Sequence, residues 1–190
     1  MIRVLLFCLL NVVMVNVSAT EFKGIGILGA DFGGDTLVDV EYSDGSKAKV
    51  DAGEGLSLGG GLSWNLKENV SLITSAAWKF TTTKQASNGD ITWTRIPLEV
   101  IGLYQIDKIK VGAGLSYQVG NKLKGSGIAS DLDVKFDNAL GYVANIEYAF
   151  TPKFAVNARY MVISYTPEDG SASVNGNNFG MGLVMYFDQK

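Results

Sequence analysis

The chain has 190 residues, 16 Lys and Arg against 19 Asp and Glu, 23 Gly, three Pro, one Cys and no His. That length suits one domain, and a net charge of −3 argues against nucleic acid as a partner. Without histidine the chain lacks the commonest general base and transition-metal ligand, while the glycine excess suits crowded, curved strands better than helix.

Residues 1–19 read as an export leader. Arg3 supplies a positive start, Val4 to Val15 an apolar stretch broken by Asn11, and Val17-Ser18-Ala19 small residues for cleavage before Thr20. About a dozen apolar residues cannot span a bilayer as a helix, which needs roughly 20. Cys8 follows Leu5-Leu6-Phe7 rather than small residues, so lipidation is not expected. Residues 20–190 then form one domain with no cysteine and no disulfide.

From there on, alternation with period 2 is the recurrent signal. Around Phe22 to Phe32 it is ambiguous: Lys23 and Asp31 place odd positions inward, which turns Ile25 and Ile27 inward too. An acidic connection follows, with Asp35, Asp39, Glu41, Asp44 and Asp51 around Ser43-Asp44-Gly45-Ser46. Next, Leu56, Leu58, Gly60, Leu62, Trp64 and Leu66 oppose Gly55, Ser57, Gly59, Gly61, Ser63 and Asn65. A short turn, Asn65 to Asn69, leads to Val70, Leu72, Thr74, Ala76, Trp78 and Phe80, with Lys79 on the other face. Beyond a loop at Ser87-Asn88-Gly89-Asp90, the fourth strand sets Ile96, Leu98, Val100, Gly102, Tyr104 and Ile106 against Glu99. Pro97 within it is expected to mark a bulge or kink near the outer rim.

The second half repeats the pattern. After the turn Gln105 to Lys108, Ile109, Val111, Ala113, Leu115 and Tyr117 alternate with Lys110, Gly112, Gly114, Ser116 and Gln118. The longest connection, Asn121 to Asp137, carries Lys122, Lys124 and Lys135. Leu140, Tyr142, Ala144, Ile146, Tyr148 and Phe150 then oppose Gly141, Val143, Asn145 and Glu147. The turn Phe150 to Phe154 leads into Phe154, Val156, Ala158, Tyr160 and Val162, facing away from Ala155, Asn157, Arg159 and Met161. A loop from Glu168 to Asn178 precedes the last strand, Phe179, Met181, Leu183, Met185 and Phe187.

Three short turns and four long connections join eight strands. The fold expected is all-β: an eight-stranded antiparallel up-and-down transmembrane β-barrel. A soluble lipocalin-like barrel alternates equally well, but three features favour the membrane. The less apolar face is rich in Gly, Ser and Ala, which fit a narrow lumen. Aromatics gather at two levels: Trp64, Tyr104, Tyr148, Phe150, Phe154 and Phe187 near the short turns, and Trp78, Phe80, Tyr117 and Phe179 near the long loops. The last strand alternates large apolar residues up to a near-terminal aromatic.

That strand resembles the C-terminal signature of outer-membrane barrels, which their assembly machinery reads, although Asp188-Gln189-Lys190 follow where the family usually ends on the aromatic. The chain from Thr20 onward resembles small eight-stranded barrels of the OmpX, OmpW or OmpA-barrel kind. The resemblance implies a monomeric or weakly associating barrel with a largely filled lumen, set in outer-membrane lipid and lipopolysaccharide of a Gram-negative cell.

No catalytic residue, metal ligand or cofactor site is expected. Barrel enzymes of the outer membrane resemble one another in using a histidine base, which is missing here. The sharper constellation is the inward set Lys79, Glu99, Lys110, Glu147 and Arg159. Register across the Thr151-Pro152-Lys153 turn makes Glu147 and Arg159 diagonal neighbours. Such charges serve either as a salt-bridge gate in an ion path or as a satisfied polar plug; eight strands leave little more room than side chains fill, which favours the plug. The acidic first loop either binds divalent cations that bridge lipopolysaccharide or is solvated surface. The leading expectation is a non-enzymatic anchor whose surface loops serve envelope integrity or surface interaction with an unidentified ligand. The rival is a narrow channel for small or hydrophobic solutes, opened laterally at Pro97.

Overall fold

The computed structural model describes residues 21–41, 47–85 and 89–187. The expected leader, Asp44, Ser87-Asn88 and the last three residues lie outside them. Eight strands make the wall: β1 (Glu21–Phe32), β4 (Gly55–Lys67), β5 (Val70–Gln85), β6 (Gly89–Ile106), β7 (Ile109–Gly125), β9 (Ala139–Ala149), β10 (Phe154–Val162) and β13 (Asn178–Phe187). Each pairs antiparallel with its neighbours, and the ring closes through β1 with β13 and β6 with β7. The closed eight-stranded antiparallel barrel read from the sequence is therefore the fold. Among the described residues no helix is long and apolar enough to cross a membrane, which leaves crossing by strands open.

Alternation explains the two faces. Along β9 the inward residues Ala139, Gly141, Val143, Asn145 and Glu147 are buried, while Leu140, Tyr142, Ala144, Ile146 and Tyr148 are exposed. Strand β1, ambiguous in sequence, turns its odd residues inward: Ile25 and Asp31 are buried and Leu28 and Phe32 exposed. Small inward residues let the wall bend sharply. A side chain at Gly61 would overlap the Thr74 carbonyl of the next strand.

The connections are more ordered than their composition suggests. The first holds a hairpin, β2 (Thr36–Glu41) with β3 (Lys47–Asp51). Gly89 and Asp90 of the expected second loop, and Asn121 to Gly125 and Asp133 to Lys135 of the third, are strand. Strands β6 and β7 run 18 and 17 residues, well past the 9–11 that a tilted strand needs to cross a bilayer. Their upper parts pair with each other, and β8 (Asp133–Lys135) adds to β7. Strands β11 (Ser164–Tyr165) and β12 (Val174–Asn175) ornament the fourth connection.

Pro97 and the bulge are separate features. The β5–β6 ladder keeps one register but lacks pairs opposite Ile96 and Pro97, since proline has no N–H to donate. The register shift lies beside it, between Thr94 and Ile96 against β7. Gly120 supplies the extra residue at φ 65°, a backbone state that glycine enters without cost.

Candidate functional site

Among the described residues, buried charge is concentrated in the lumen. Reading upward from the short turns, Lys110 stands directly across from Glu147, with Nζ 3.1 Å from Oε1. The Tyr186 hydroxyl donates to the same carboxylate at 2.7 Å, and Lys110 donates to the Tyr186 oxygen at 2.9 Å. Above them Asn157 donates to Asn145 at 3.0 Å. The next layer holds two ion pairs, Arg159 with Glu99 in a two-pronged contact and Lys79 with Asp31 at 2.9 Å.

The register expected across the β9–β10 turn is present, with Asn157 opposite Glu147 and Arg159 opposite Asn145. Glu147 and Arg159 are diagonal neighbours in that register, but each takes its ion-pair partner elsewhere. Glu147 pairs with the directly opposed Lys110, and Arg159 with Glu99 across the lumen. Sequence reasoning did not place Arg95 or Tyr186 in this set. Both were findable: Ile91, Trp93, Arg95, Pro97 and Glu99 share the inward parity of β6, and Tyr186 that of Val184.

A cap closes the outer mouth. Arg95, fully buried, donates to the carbonyls of Ala52 and Glu54. Its guanidinium lies 4.8 Å from the Trp93 ring centre and 5.9 Å from that of Tyr165. Trp93 donates to the Ala52 carbonyl, and Lys79 to that of Gly53 at 2.8 Å. Three successive carbonyls at the foot of the first loop are thus drawn into the barrel mouth. Phe136 and Tyr165 pack edge-on against Trp93, with Val50 and Leu123 buried in the same cluster. Burial pushes the Tyr165 phenol up, so it stays neutral and donates to Gln118 at 2.7 Å. Backbone bonds from Asp35 to Asn175, Asp137 to Thr166 and Glu168 to Lys135 tie the first, third and fourth connections together.

Between ion pairs and cap remains a cavity of about 20 Å³, lined among others by Asp31, Lys79, Pro97, Glu99, Gln118 and Arg159. That is room for one water. Asp31 Oδ1 and Arg159 Nε, 3.9 Å apart, both lack a protein hydrogen bond there. Among the described residues no group of three or more acidic or cysteine side chains is placed to hold a metal ion.

Outside, Trp78, Tyr104, Tyr117, Tyr148, Phe150, Phe154, Phe179 and Phe187 are exposed. Trp64 and Phe80 are half-buried; Trp64 packs against Phe22 at 5.2 Å and Phe80 stacks on Trp78 at 4.6 Å. Met181 and Met185 are exposed as well, and Leu183 lies on the same face of β13, whose two edges are taken by β1 and β10.

A closed barrel with an apolar exterior and charges held inside is the architecture of a transmembrane β-barrel. The chain belongs to the outer membrane protein beta-barrel domain family, whose model matches residues 5–187, and that family places it in the outer membrane. Ail, the attachment invasion locus protein of Yersinia pestis, solved in complex with the heparin analogue sucrose octasulfate, is 16% identical. The match covers 87% of this chain and 98% of that one, with a TM-score of 0.55. Neisserial surface protein A is also 16% identical over 87% of this chain and 96% of its own, at a TM-score of 0.49. OprG of Pseudomonas aeruginosa is 14% identical over 88% and 97%, at 0.45. No curated protein matches the chain in sequence.

Proposed function

We propose that the protein is a non-enzymatic, non-conducting barrel that anchors an ordered extracellular cap for surface interaction or envelope integrity. The observation that carries this reading is the stack of ion pairs beneath a capped mouth, with a residual cavity of only about 20 Å³. A hydrated ion needs a continuous path several times wider than one water. In this reading residues 1–19 are a leader cleaved on export, the barrel-assembly machinery engages β13, and the barrel is a monomer in a Gram-negative outer membrane.

The narrow-channel reading has one observation of its own. The β5–β6 ladder lacks pairs at Ile96 and Pro97, and Pro97 and Ala77 line the cavity directly behind that gap. Planar-bilayer recording separates the two. Wild type, Glu147→Ala and Arg159→Ala should all be electrically silent. Stable single-channel steps altered by either substitution would establish the channel instead.

A further inference from the structure

The lysines of the third connection play no part in sealing the barrel. Past the Gly120 bulge, β7 presents its even residues outward, so Lys122 faces Thr94 on one side and Lys135 on the other. Lys124 likewise faces Thr92 and Asp133. Leu123 and Val134 take the opposite face, toward the cap. Lys122 reaches Asp133 at 3.0 Å, while Lys124 and Lys135 have no ion pair among the described residues. Like charges set directly across a ladder repel one another, so Lys122 opposite Lys135 is an arrangement that a bound anion would relieve. The Lys122 hydrogen bond, with the charges of Lys124 and Lys135 added, holds the Asp133 carboxyl below its usual range. The ladder thus sets Lys124 opposite Asp133 and Lys122 opposite Lys135 in adjacent outward pairs, with Asp133 the one carboxylate among the four.

Their height decides the ligand. Ile96 and Tyr117 are exposed apolar residues of the outer belt. From Ile96 to Thr94, opposite Lys122, is two residues, about 7 Å along the strand and about 5 Å of height at a barrel tilt near 40°. Thr92, opposite Lys124, adds about the same again. The polar zone beyond the hydrocarbon edge is about 6 Å deep on each side, so Lys122 and Lys135 stand at headgroup depth, with Lys124 at its outer margin.

We infer that Lys122, Lys124 and Lys135 form a binding site for a phosphate on the headgroup of lipopolysaccharide packed against the barrel wall. The inference rests on the outer-membrane placement and is independent of whether the lumen conducts.

The test uses the purified full barrel in neutral detergent, with the gel-mobility difference between folded and unfolded forms as the readout. Bisphosphorylated lipid A should raise the midpoint of thermal unfolding by about 5 °C or more at saturation, and dephosphorylated lipid A should not. A triple Lys122→Ala, Lys124→Ala, Lys135→Ala variant should lose the shift, and the triple Arg variant should keep it. Should the triple Ala variant not fold, Lys124→Ala and Lys135→Ala singly should each lower it. Three results would overturn the site: no shift in wild type, an equal shift with dephosphorylated lipid A, or an equal shift with soluble sucrose octasulfate. Channel activity in the bilayer recording would defeat the sealed-barrel reading and leave this result standing.

Discussion

Glu147, 1% exposed, satisfies two donors at once, the Lys110 ammonium and the Tyr186 hydroxyl. Charges of this kind add little net stability when intact, because desolvation offsets their attraction, but removing one partner strands the other. Glu147→Ala should therefore cost about 3–5 kcal/mol in urea-induced unfolding, and Glu147→Gln, which still accepts from Tyr186, clearly less. Equal stability of wild type and the Ala variant would show that water already replaces this carboxylate. The pairing also marks what one chain conveys at this scale. The hairpin partner of Glu147 was legible because a five-residue turn fixes the β9–β10 register. Its actual partner sits on β7, across a long connection whose length sets no register, so Lys110 was not legible as the mate of Glu147.

At the scale of elements, eight strands and their faces were readable because alternation persists wherever one side meets lipid and the other a crowded lumen. It failed where that contrast ends. Above the hydrocarbon core β6 and β7 have polar surroundings on one face and the cap on the other, and residues such as Thr92, Thr94, Lys122 and Lys124 resemble a loop by composition. The bulge also interrupts the period: odd residues of β7 face outward up to Tyr117, even ones from Lys122 on. Gly120 accommodates the switch at positive φ. Gly120→Val should cost about 1–2 kcal/mol, the penalty of an L side chain in the left-handed region. Deleting Gly120 should leave the faces above it unchanged, because only the extra residue is lost. A Leu123→Cys probe, free of competing thiols in residues 20–190, should stay unreactive to an impermeant reagent in both backgrounds. Labelling of that thiol on deletion would contradict the assigned bulge.

For the molecule as a whole, the barrel and the described parts of its first, third and fourth connections are tied into one body. The first connection is held by Arg95, Trp93 and Lys79 through its carbonyls, and by the fourth through Asp35 and Asn175. A lipid-facing exterior explains why so many large apolar side chains, from Leu28 to Phe187, are exposed; in water such a surface would aggregate. Membrane fractionation combined with gel migration tests this most directly. The account predicts a protein released from cell envelopes only by detergent, whose unheated form migrates faster than the boiled one because the closed barrel survives in the gel. Recovery in the soluble fraction, with migration indifferent to heating, would contradict it.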